Sequence, residues 1–543
     1  MREEHKLHNA HKTCWNCPAA DVVANIDFTA CGQSRGKMAE QQGGDMVIEC
    51  RRRPELGTFE PSITFEQCPE WRPTEYGYML RNMKVMILGI DGYLGWTLGL
   101  KLGELGCQVS GIDNYTRRDC VMEKGAHTVV PIARMTERLE AAKDTLGLDI
   151  NFRRMDIRDL HNLREFLEEV RPEAIVHYAE IPSAPYSMVD AEHAIATQHN
   201  NTLGTLGLLW AMKDIVPESA LVKLGTMGEY GTPLTGRPLF EGMFPSDAVL
   251  SWDDREWSMG GELTPRDPVS FYHCSKVQDT FNVYEACKYW WLRSYDIMQG
   301  VIYGVHTPEV SRDDRLRTRL DIDEWFGTVV NRFVAQAILD IPLTIYGEGN
   351  QIRGLIALGD AMECMTRLIS SPPEPGQYDV VNQVSGLHKI RDLAEVVAKV
   401  GKEFGYRVQI QRLENPRVES EEHPFEVVSR ALPHTFGFRP KISLEEEITE
   451  MFKLLTRPDI ELRLSMKKHT VMPKTRWSGE KRDSDVLEVY EPGSKERAGY
   501  QARLVTGKSV SRTSRELVSA AGTVSTSPGE DSGNPDGDRS GEL

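Results

Sequence analysis

Tyr272 and Lys276 are the two residues of this sequence whose types and spacing point most directly to chemistry. They stand four positions apart at the start of a helix-like stretch, which places both side chains on one face of a helix. A lysine ammonium beside a phenol stabilises the phenolate and so lowers the pKa of the phenol. We therefore predict that Tyr272 takes a proton from a substrate hydroxyl while Lys276 tunes it. Because such a pair also occurs by chance, its setting in the chain has to support it.

Three further residues are candidates to act beside this pair. Thr226 follows a predicted strand, where its hydroxyl can hydrogen-bond a reacting oxygen of the substrate. Glu229 and His273 are the remaining side chains that could move protons at neighbouring carbon atoms. The alternatives are a solvated loop threonine for Thr226 and purely structural roles for Glu229 and His273.

A glycine-rich turn far upstream supports a catalytic role for Tyr272 and Lys276. Its seven residues are Gly89, Ile90, Asp91, Gly92, Tyr93, Leu94 and Gly95. Gly89 allows the tight turn, Gly92 lets a pyrophosphate approach the backbone, and Gly95 allows the following helix to pack closely. The N–H groups at the start of that helix favour a phosphate. Because a buried strand precedes the turn and a helix follows it, we predict a dinucleotide-binding site.

Asp113 closes the second predicted strand, at the distance expected of the residue that binds the adenosine ribose. A carboxylate there accepts two hydroxyl hydrogen bonds and repels a 2′-phosphate, which predicts NAD rather than NADP. Arg117 and Arg118 lie just beyond and are the residues that would favour NADP instead. Asp156 and Ile157 end the third strand, where we predict an adenine contact; a solvated strand end is the alternative.

Strands and helices alternate along the part of the chain that carries these residues. The predicted strands are residues 84–90, 107–113, 150–157, 174–179, 220–225 and 294–299. The predicted helices between them are residues 93–106, 160–170, 200–213 and 272–288. This alternation predicts an α/β fold with a Rossmann-type doubly wound parallel sheet. Beyond residue 300, amphipathic helices at 326–339 and 390–404 and a short strand at 343–346 predict a smaller α+β substrate-binding domain.

Four segments follow from these patterns. Residues 1–82 carry no sustained period and are predicted to form an irregular extension. Residues 83–300 form the dinucleotide-binding domain, and residues 301–478 form mainly the substrate-binding domain, with room for segments that return to the first. Residues 479–543 are too poor in apolar side chains to offset their ordering entropy and are predicted to be disordered. The long loop at 232–268 is expected to be a lid or an insertion.

Composition excludes several classes of partner. The formal net charge of -17 disfavours nucleic acid and anionic membranes. No apolar run approaches the ~20 residues that cross a bilayer, and the acid-rich start resembles no targeting peptide. The ten cysteines are scattered like free thiols in a reducing compartment, so we expect a cytoplasmic protein. Cys14 and Cys17 supply only half of a zinc site, and we predict no metal.

These motifs together resemble the extended short-chain dehydrogenase/reductase family, and within it the UDP-sulfoquinovose synthases, over roughly residues 84–478. The segments that carry the resemblance are residues 183–188, 197–201, 222–233, 270–276, 299–304, 326–333 and 415–423. Most extended members have Thr-Asp-Glu or a serine run where this chain has Thr226-Met227-Gly228. That departure separates the chain from ordinary dehydratases and epimerases.

The resemblance implies a reaction between UDP-glucose and sulfite. NAD would oxidise C4 of the sugar with Tyr272 as base, Thr226 holding O4 and Lys276 also bonding the nicotinamide ribose. The resulting 4-keto group acidifies C5–H, water leaves from C6 to give a 4-keto-5-ene, sulfite adds at C6, and hydride returns to C4. The product would be UDP-6-sulfoquinovose, and the resemblance implies a homodimer.

The resemblance also implies further site residues. Asn114, Asn200 and Ile302 would join the cofactor site. The UDP-sugar would be held by Ser183, Thr226, Gln299, Arg332, Thr344, Tyr346, Gln351, Arg353, Arg417 and Glu419. One departure concerns Pro182, which stands where plant-like members have an arginine expected to contact the substrate, so the exact substrate or the sulfur donor is put in question.

Two other functions compete with this one. The first is another NAD-dependent nucleotide-sugar 4-epimerase or 4,6-dehydratase. The second is a non-catalytic NAD-binding scaffold, which the fold alone would allow. The intact Thr226, Tyr272 and Lys276 oppose the scaffold, because a scaffold has no need of a tuned phenol.

Overall fold

The computed structural model describes residues 77–232, 236–415 and 426–473, together with Pro492 and five short outlying strands. Those strands are Ala20–Val23, Val47–Cys50, Thr58–Phe59, Val486–Tyr490 and Arg503–Val505. Cys14, Cys17, Arg417 and Glu419, with most of both predicted tails, lie outside the described residues. Within the described residues, every helix is too short or too polar to cross a membrane.

A seven-stranded parallel sheet forms the centre of the fold. Its strands are β1 (Lys84–Leu88), β2 (Gln108–Asp113), β3 (Asn151–Arg154), β4 (Ala174–His177), β5 (Ala220–Leu224), β6 (Arg293–Gln299) and β7 (Tyr378–Gln383). They lie in the order β7-β6-β5-β4-β1-β2-β3, and every neighbouring pair is parallel. β4 is buried throughout and β1 is buried after Lys84, because both strands consist mainly of apolar residues. The predicted Rossmann-type fold is confirmed, and its order reverses between β1 and β4, where such sheets bind ligands.

Among the described residues, six helices of eight residues or more accompany the first six strands, beside the single turns Gly77–Leu80 and Ala184–Ser187. They are α1 (Tyr93–Glu104), α2 (Thr116–Glu123), α3 (Met135–Leu146), α4 (Leu160–Val170), α5 (Ala191–Ile215) and α6 (Phe271–Trp290). The two longest, α5 and α6, pack along each other. Helix α5 begins at Ala191 rather than at residue 200, because the Asp190 carboxylate accepts the N–H of His193 and caps the helix. Helices α2 and α3 were not among the predicted elements.

The chain beyond residue 300 builds a second layer and also returns to the sheet. Its helices are α7 (Val329–Ile338), α8 (Leu358–Ser370), α9 (Ile390–Glu403), α10 (Leu444–Leu455) and α11 (Pro458–Met466). Among the described residues its other strands form three small sheets: Val301–Tyr303 with Ile352–Ala357 and Gly386–Lys389, Leu343–Tyr346 with Ile410–Leu413 and Val486–Tyr490, and Glu426–Val428 with Arg503–Val505. Strand β7 pairs with β6, and α8 packs on α1. The two halves are therefore interwoven by a returning segment.

The long connection at 232–268 contains an exposed hairpin of Val249–Trp252 and Arg255–Ser258. Its base is held by Glu241, whose carboxylate accepts the backbone N–H groups of Asn382, Arg430 and Ala431. Burial raises the pKa of Glu241 to about 7. The hairpin is thus an insertion fastened at its base to β7.

Candidate active site

A cavity of about 430 Å³ lies against the carboxyl ends of β1, β2, β4, β5 and β6. Its lining includes the glycine turn at one place, Tyr272 and Lys276 at another, and Thr344 and Arg353 from the second layer. Parallel strands bring their carboxyl ends to one edge of the sheet, so residues far apart in the chain meet there. The cavity therefore joins the predicted cofactor, catalytic and substrate residues.

The glycine turn has the close contacts that its sequence predicts. Gly89 has φ +85°, and a Cβ there would lie 2.7 Å from the carbonyl carbon of Tyr178. A Cβ on Gly95 would lie 2.2 Å from the carbonyl oxygen of Gly89, so helix α1 can start this close to β1 only with glycine. Gly92 caps α1 without a side-chain hydrogen bond, and with Tyr93 and Leu94 it lines the cavity. The open N–H groups of α1 fit a bound pyrophosphate.

Asp91 lies outside the cavity lining, although it belongs to the turn. Its carboxylate is buried and pairs with Arg118 at 2.5 Å and with Arg138 of α3 at 2.8 Å. The guanidinium of Arg138 also lies 4.0 Å from the centre of the Trp96 ring. Asp91 therefore stabilises the turn through these ion pairs. Its contact with the cofactor remains a prediction.

The residues at the end of β2 support the preference for NAD. Asp113 lines the cavity, and its carboxylate accepts the N–H groups of Asp91 at 2.9 Å and Tyr115 at 2.7 Å. Burial, with Asp91 adding to it, raises the pKa of Asp113 to about 6. Arg118 is engaged by Asp91, and Arg117 binds Asp321 at 2.7 Å. Both arginines that would favour NADP are thus already paired with a carboxylate.

The other predicted cofactor residues divide into two groups. Asn114, Arg117, Ile157, Asn200 and Ile302 line the cavity. Asp156 lies outside its lining, because its carboxylate binds Arg158 at 2.7 Å and the side-chain amide of Asn114 at 2.9 Å. Its carboxylate thus supports Asn114 and Arg158, and contact with adenine remains a prediction for Ile157 and Asp156.

Tyr272, Lys276, His273 and Thr226 all line the cavity. Ser270 caps α6 by accepting the N–H of His273 at 3.2 Å, and its hydroxyl lies 2.8 Å from Nδ1 of the same histidine. Thr226 caps the short turn after β5 by accepting the N–H of Gly228 at 3.2 Å. His273 and Thr226 are thus held by a helix cap and a turn cap.

The electrostatics of Tyr272 differ from the expectation. Burial, together with Glu180 and Glu229, raises the pKa of Tyr272 well above its usual value. The Lys276 ammonium is engaged elsewhere, since it forms an ion pair with Glu180 and donates to the carbonyl of Leu224. The expected lowering by Lys276 is therefore outweighed in the protein alone.

Glu229 is fully buried and lies outside the cavity lining. Its carboxylate accepts the N–H of Thr226 at 3.2 Å and the hydroxyl of Thr280 at 2.9 Å, and it lies 3.6 Å from the ammonium of Lys223. It thus closes the turn that carries Thr226. A part in proton transfer remains a prediction for Glu229, as it does for His273.

The glycine at position 228, in the segment Thr226-Met227-Gly228 after β5, has a steric reason. A Cβ at this position would lie 2.2 Å from Nε2 of His273. Only glycine leaves room for the imidazole to approach the turn that carries Thr226. The glycine of Thr226-Met227-Gly228 is therefore linked physically to the position of His273.

The described residues predicted to hold the sugar nucleotide all line the cavity. They are Ser183, Thr226, Gln299, Arg332, Thr344, Tyr346, Gln351 and Arg353. Nε of Arg332 and Oε1 of Gln351 are buried without a hydrogen-bond partner among the described residues. Buried polar atoms of this kind are suited to a ligand, since leaving them unpaired is costly.

Several residues of the lining were not predicted. They are Tyr178, Glu180, Arg319, Glu324, Trp325 and Phe326. Glu180 could have been found, because it lies just beyond the end of β4 at the ligand-binding edge of the sheet. Tyr178 directly follows β4 and carries the same signal, whereas Arg319, Glu324, Trp325 and Phe326 reach the cavity only through the tertiary fold.

Comparison with known proteins agrees with this geometry. A model of the NAD dependent epimerase/dehydratase family matches residues 85–382. A UDP-sulfoquinovose synthase of Sulfolobus acidocaldarius is 41% identical over 73% of this chain and 98% of its own. The chloroplastic UDP-sulfoquinovose synthase of Spinacia oleracea is 38% identical over 66% of this chain and 72% of its own.

A solved structure extends the likeness to the fold. The UDP-glucose 4-epimerase of Bifidobacterium longum, in complex with NAD+ and UDP, has a TM-score of 0.51 at 16% identity, covering 69% of this chain and 99% of its own. The predicted NAD cofactor is confirmed by the family match, and the glycine turn and Asp113 fit it. The chain belongs to the NAD dependent epimerase/dehydratase family.

Proposed function

We propose that this protein converts UDP-glucose and sulfite to UDP-6-sulfoquinovose. The observation that carries the proposal is the 41% identity to an archaeal UDP-sulfoquinovose synthase across 98% of that enzyme. The cavity supports it, because Thr226, Tyr272 and Lys276 line one space with the residues suited to a sugar nucleotide.

The first step in the proposal is oxidation at C4 of the sugar. NAD, when held by the glycine turn and Asp113, would supply reversible hydride transfer at C4. Tyr272 takes the proton of the 4-hydroxyl, and Thr226 orients that oxygen by a hydrogen bond. Because burial and Glu180 raise the pKa of Tyr272, its phenolate needs a nearby cation, which the oxidised cofactor provides.

Elimination and addition follow at C5 and C6. The 4-keto group acidifies C5–H, and loss of that proton with the C6 hydroxyl releases water and leaves a 5,6-double bond. We assign these proton transfers to His273, whose Nδ1 is held by Ser270, so that Nε2 is the nitrogen beside Gly228. Sulfite then forms a C6–S bond through its sulfur lone pair, and C5 regains a proton.

The net charge of the chain indicates that the UDP group is bound by a local cluster of cations. The whole chain is strongly acidic, so a diphosphate has to be held by nearby cations. Arg332 and Arg353 line the part of the cavity formed by the second layer, and guanidinium groups bind phosphate oxygens in pairs. In the proposal these two arginines hold the diphosphate, with Gln351 and Thr344 beside them.

Pro182 is the observation that favours the alternative, a UDP-hexose 4-epimerase or 4,6-dehydratase. It lines the cavity where a plant-like member would carry an arginine. Incubation of the purified protein with UDP-glucose, with and without sulfite, separates the two. The proposal expects a new UDP-sugar only with sulfite, whereas turnover that is indifferent to sulfite would support the alternative.

The proposal includes a homodimer formed through α5 and α6. These neighbouring helices carry large apolar side chains that are exposed to water in a single chain. They are Ile195, Leu203, Leu206, Trp210, Phe271, Phe281 and Tyr289. A two-fold axis would pair such a surface with itself. Light scattering should give a mass near twice 61.4 kDa, and a monomer at micromolar concentration would refute this part.

The proposed compartment is the cytoplasm, which suits the cysteines. Cys107, Cys120, Cys274, Cys287 and Cys364 are free thiols, as in a reducing environment.

A further inference from the structure

Glu180 is a buried carboxylate in the cavity lining that the reaction described above does not use. Its side chain is 3% exposed and forms an ion pair with Lys276. Apart from that ammonium, neither oxygen of Glu180 accepts a hydrogen bond from the described residues. His177, at 3.8 Å, offers no charge, because burial lowers the pKa of its imidazole to about 3. A single cation thus balances Glu180.

The buried charged groups near Lys276 carry no excess of positive charge that could balance Glu180. Within the described chain, a buried charge cluster beside Tyr272 contains the carboxylates Glu180, Glu229, Asp279 and Asp296 and the cations Lys223, Arg266 and Lys276. Arg117, whose charge also acts on Tyr272, is paired with Asp321 and adds no net charge. Four carboxylates face three cations, so the cluster has one negative charge in excess. Burial and Glu180 raise the pKa of Asp279 well above its usual value, which favours a proton on that carboxyl group in the protein alone.

An oxidised nicotinamide ring carries one positive charge, and the reduced ring carries none. A ring placed beside Tyr272 and Lys276, as the proposed function requires, would lie next to the carboxylate of Glu180. A carboxylate at low dielectric stabilises the charged ring relative to the neutral one. We propose that Glu180 is the counter-ion of the nicotinamide ring and makes this protein hold NAD+ more tightly than NADH.

This inference rests on the proposed function, in which hydride leaves C4 of the sugar and later returns to it. Two electrons and one proton pass to the ring and come back, so each turnover should end with NAD+ in place. A preference for NAD+ drives that return and keeps the cofactor from being left reduced. Glu180 would thus support a reaction that consumes no NAD.

The test compares three ligands on the unaltered protein and on Glu180→Gln, which keeps the shape and removes the charge. Calorimetry or NADH fluorescence gives the Kd of NAD+, NADH and ADP-ribose, which lacks the nicotinamide. The Kd of NADH divided by that of NAD+ should fall at least tenfold in Glu180→Gln, equal to about 30 mV in a two-electron potential. The Kd of ADP-ribose should be unchanged.

Other results overturn the inference. Equal weakening of all three ligands would mean that Glu180 only shapes the site, and an unchanged ratio would mean that its charge does not act on the ring. If Glu180→Gln does not fold, the unaltered protein decides, since NADH binding as tightly as NAD+ excludes the counter-ion. Tight binding of NAD+ without sulfite-dependent turnover would reject the proposed function and leave this inference standing.

Discussion

Gly228→Ala is the substitution that most sharply tests the link between the motif after β5 and His273. The backbone at Gly228 accepts alanine, because its φ does not lie in the left-handed region. The new Cβ, however, would lie 2.2 Å from Nε2 and 2.3 Å from Cδ2 of His273. Since a carbon needs roughly 3.4–4 Å of separation, the imidazole has to move by more than about 1 Å.

The imidazole has little freedom for such a move. Nδ1 of His273 lies 2.8 Å from the hydroxyl of Ser270, and its ring centre lies 5.0 Å from that of Tyr272. Losing the hydrogen bond costs about 1 kcal/mol, and the crowding raises the total loss of unfolding free energy to about 1–3 kcal/mol. A misplacement of about 1 Å lowers kcat by roughly 100-fold.

The assay measures kcat for sulfite-dependent consumption of UDP-glucose, urea unfolding and the Kd of NAD. The Kd of NAD should be unchanged, because Gly228 lies outside the cofactor turn. Gly99→Ala is the matched control, since its Cβ would lie 3.5 Å from the side chains of Ile87 and Ile90, an ordinary contact. Normal kcat in Gly228→Ala would refute the reasoning, because His273 would then not need its present position.

Three further predictions concern the cofactor, the base and the hairpin anchor. Asp113→Ala should weaken the preference for NAD over NADP about tenfold by calorimetry, because the carboxylate that repels a 2′-phosphate is gone; an unchanged preference would reject that role. Tyr272→Phe should bind NAD normally and fold normally by circular dichroism while kcat falls about 10³-fold, and near-normal kcat would exclude Tyr272 as the base. Burial raises the pKa of Glu241 to about 7, so its contribution to stability is fully present below the ordinary carboxyl pKa and is lost as pH rises through about 7. Glu241→Gln should reduce that loss between pH 5 and pH 8, by about 3 kcal/mol at most, in urea unfolding; an identical pH dependence would contradict it.

Local patterns made much of the fold and the site predictable. The turn from Gly89 to Gly95 and the pair Tyr272 and Lys276 each depend on spacings of a few residues, which a sequence displays directly. The cavity lining includes these residues because parallel strands end at one edge of the sheet. Boundaries were less accurate where a side-chain cap rather than apolar periodicity starts the element, as at Asp190.

Contacts between distant residues could not be predicted. Arg138 binds Asp91 across 47 positions of the chain, and Glu180, just beyond the end of β4, pairs with Lys276 of α6. Strand β7 pairs with β6, although helices and strands of the second layer lie between them in the sequence. Such pairings depend on tertiary packing and leave no periodic signal, which is why the high pKa of Tyr272 was missed.

The central claim is that hydride leaves C4 and returns to it while C6 exchanges its hydroxyl for sulfonate. The most direct measurement is mass spectrometry of the product formed from UDP-glucose deuterated at C4, with sulfite and without added NADH. The account predicts a UDP-sugar with a sulfonate at C6 that keeps the deuterium at C4, and no net consumption of NAD. Only UDP-galactose, or a stable 4-keto-6-deoxy sugar whether or not sulfite is present, would contradict it.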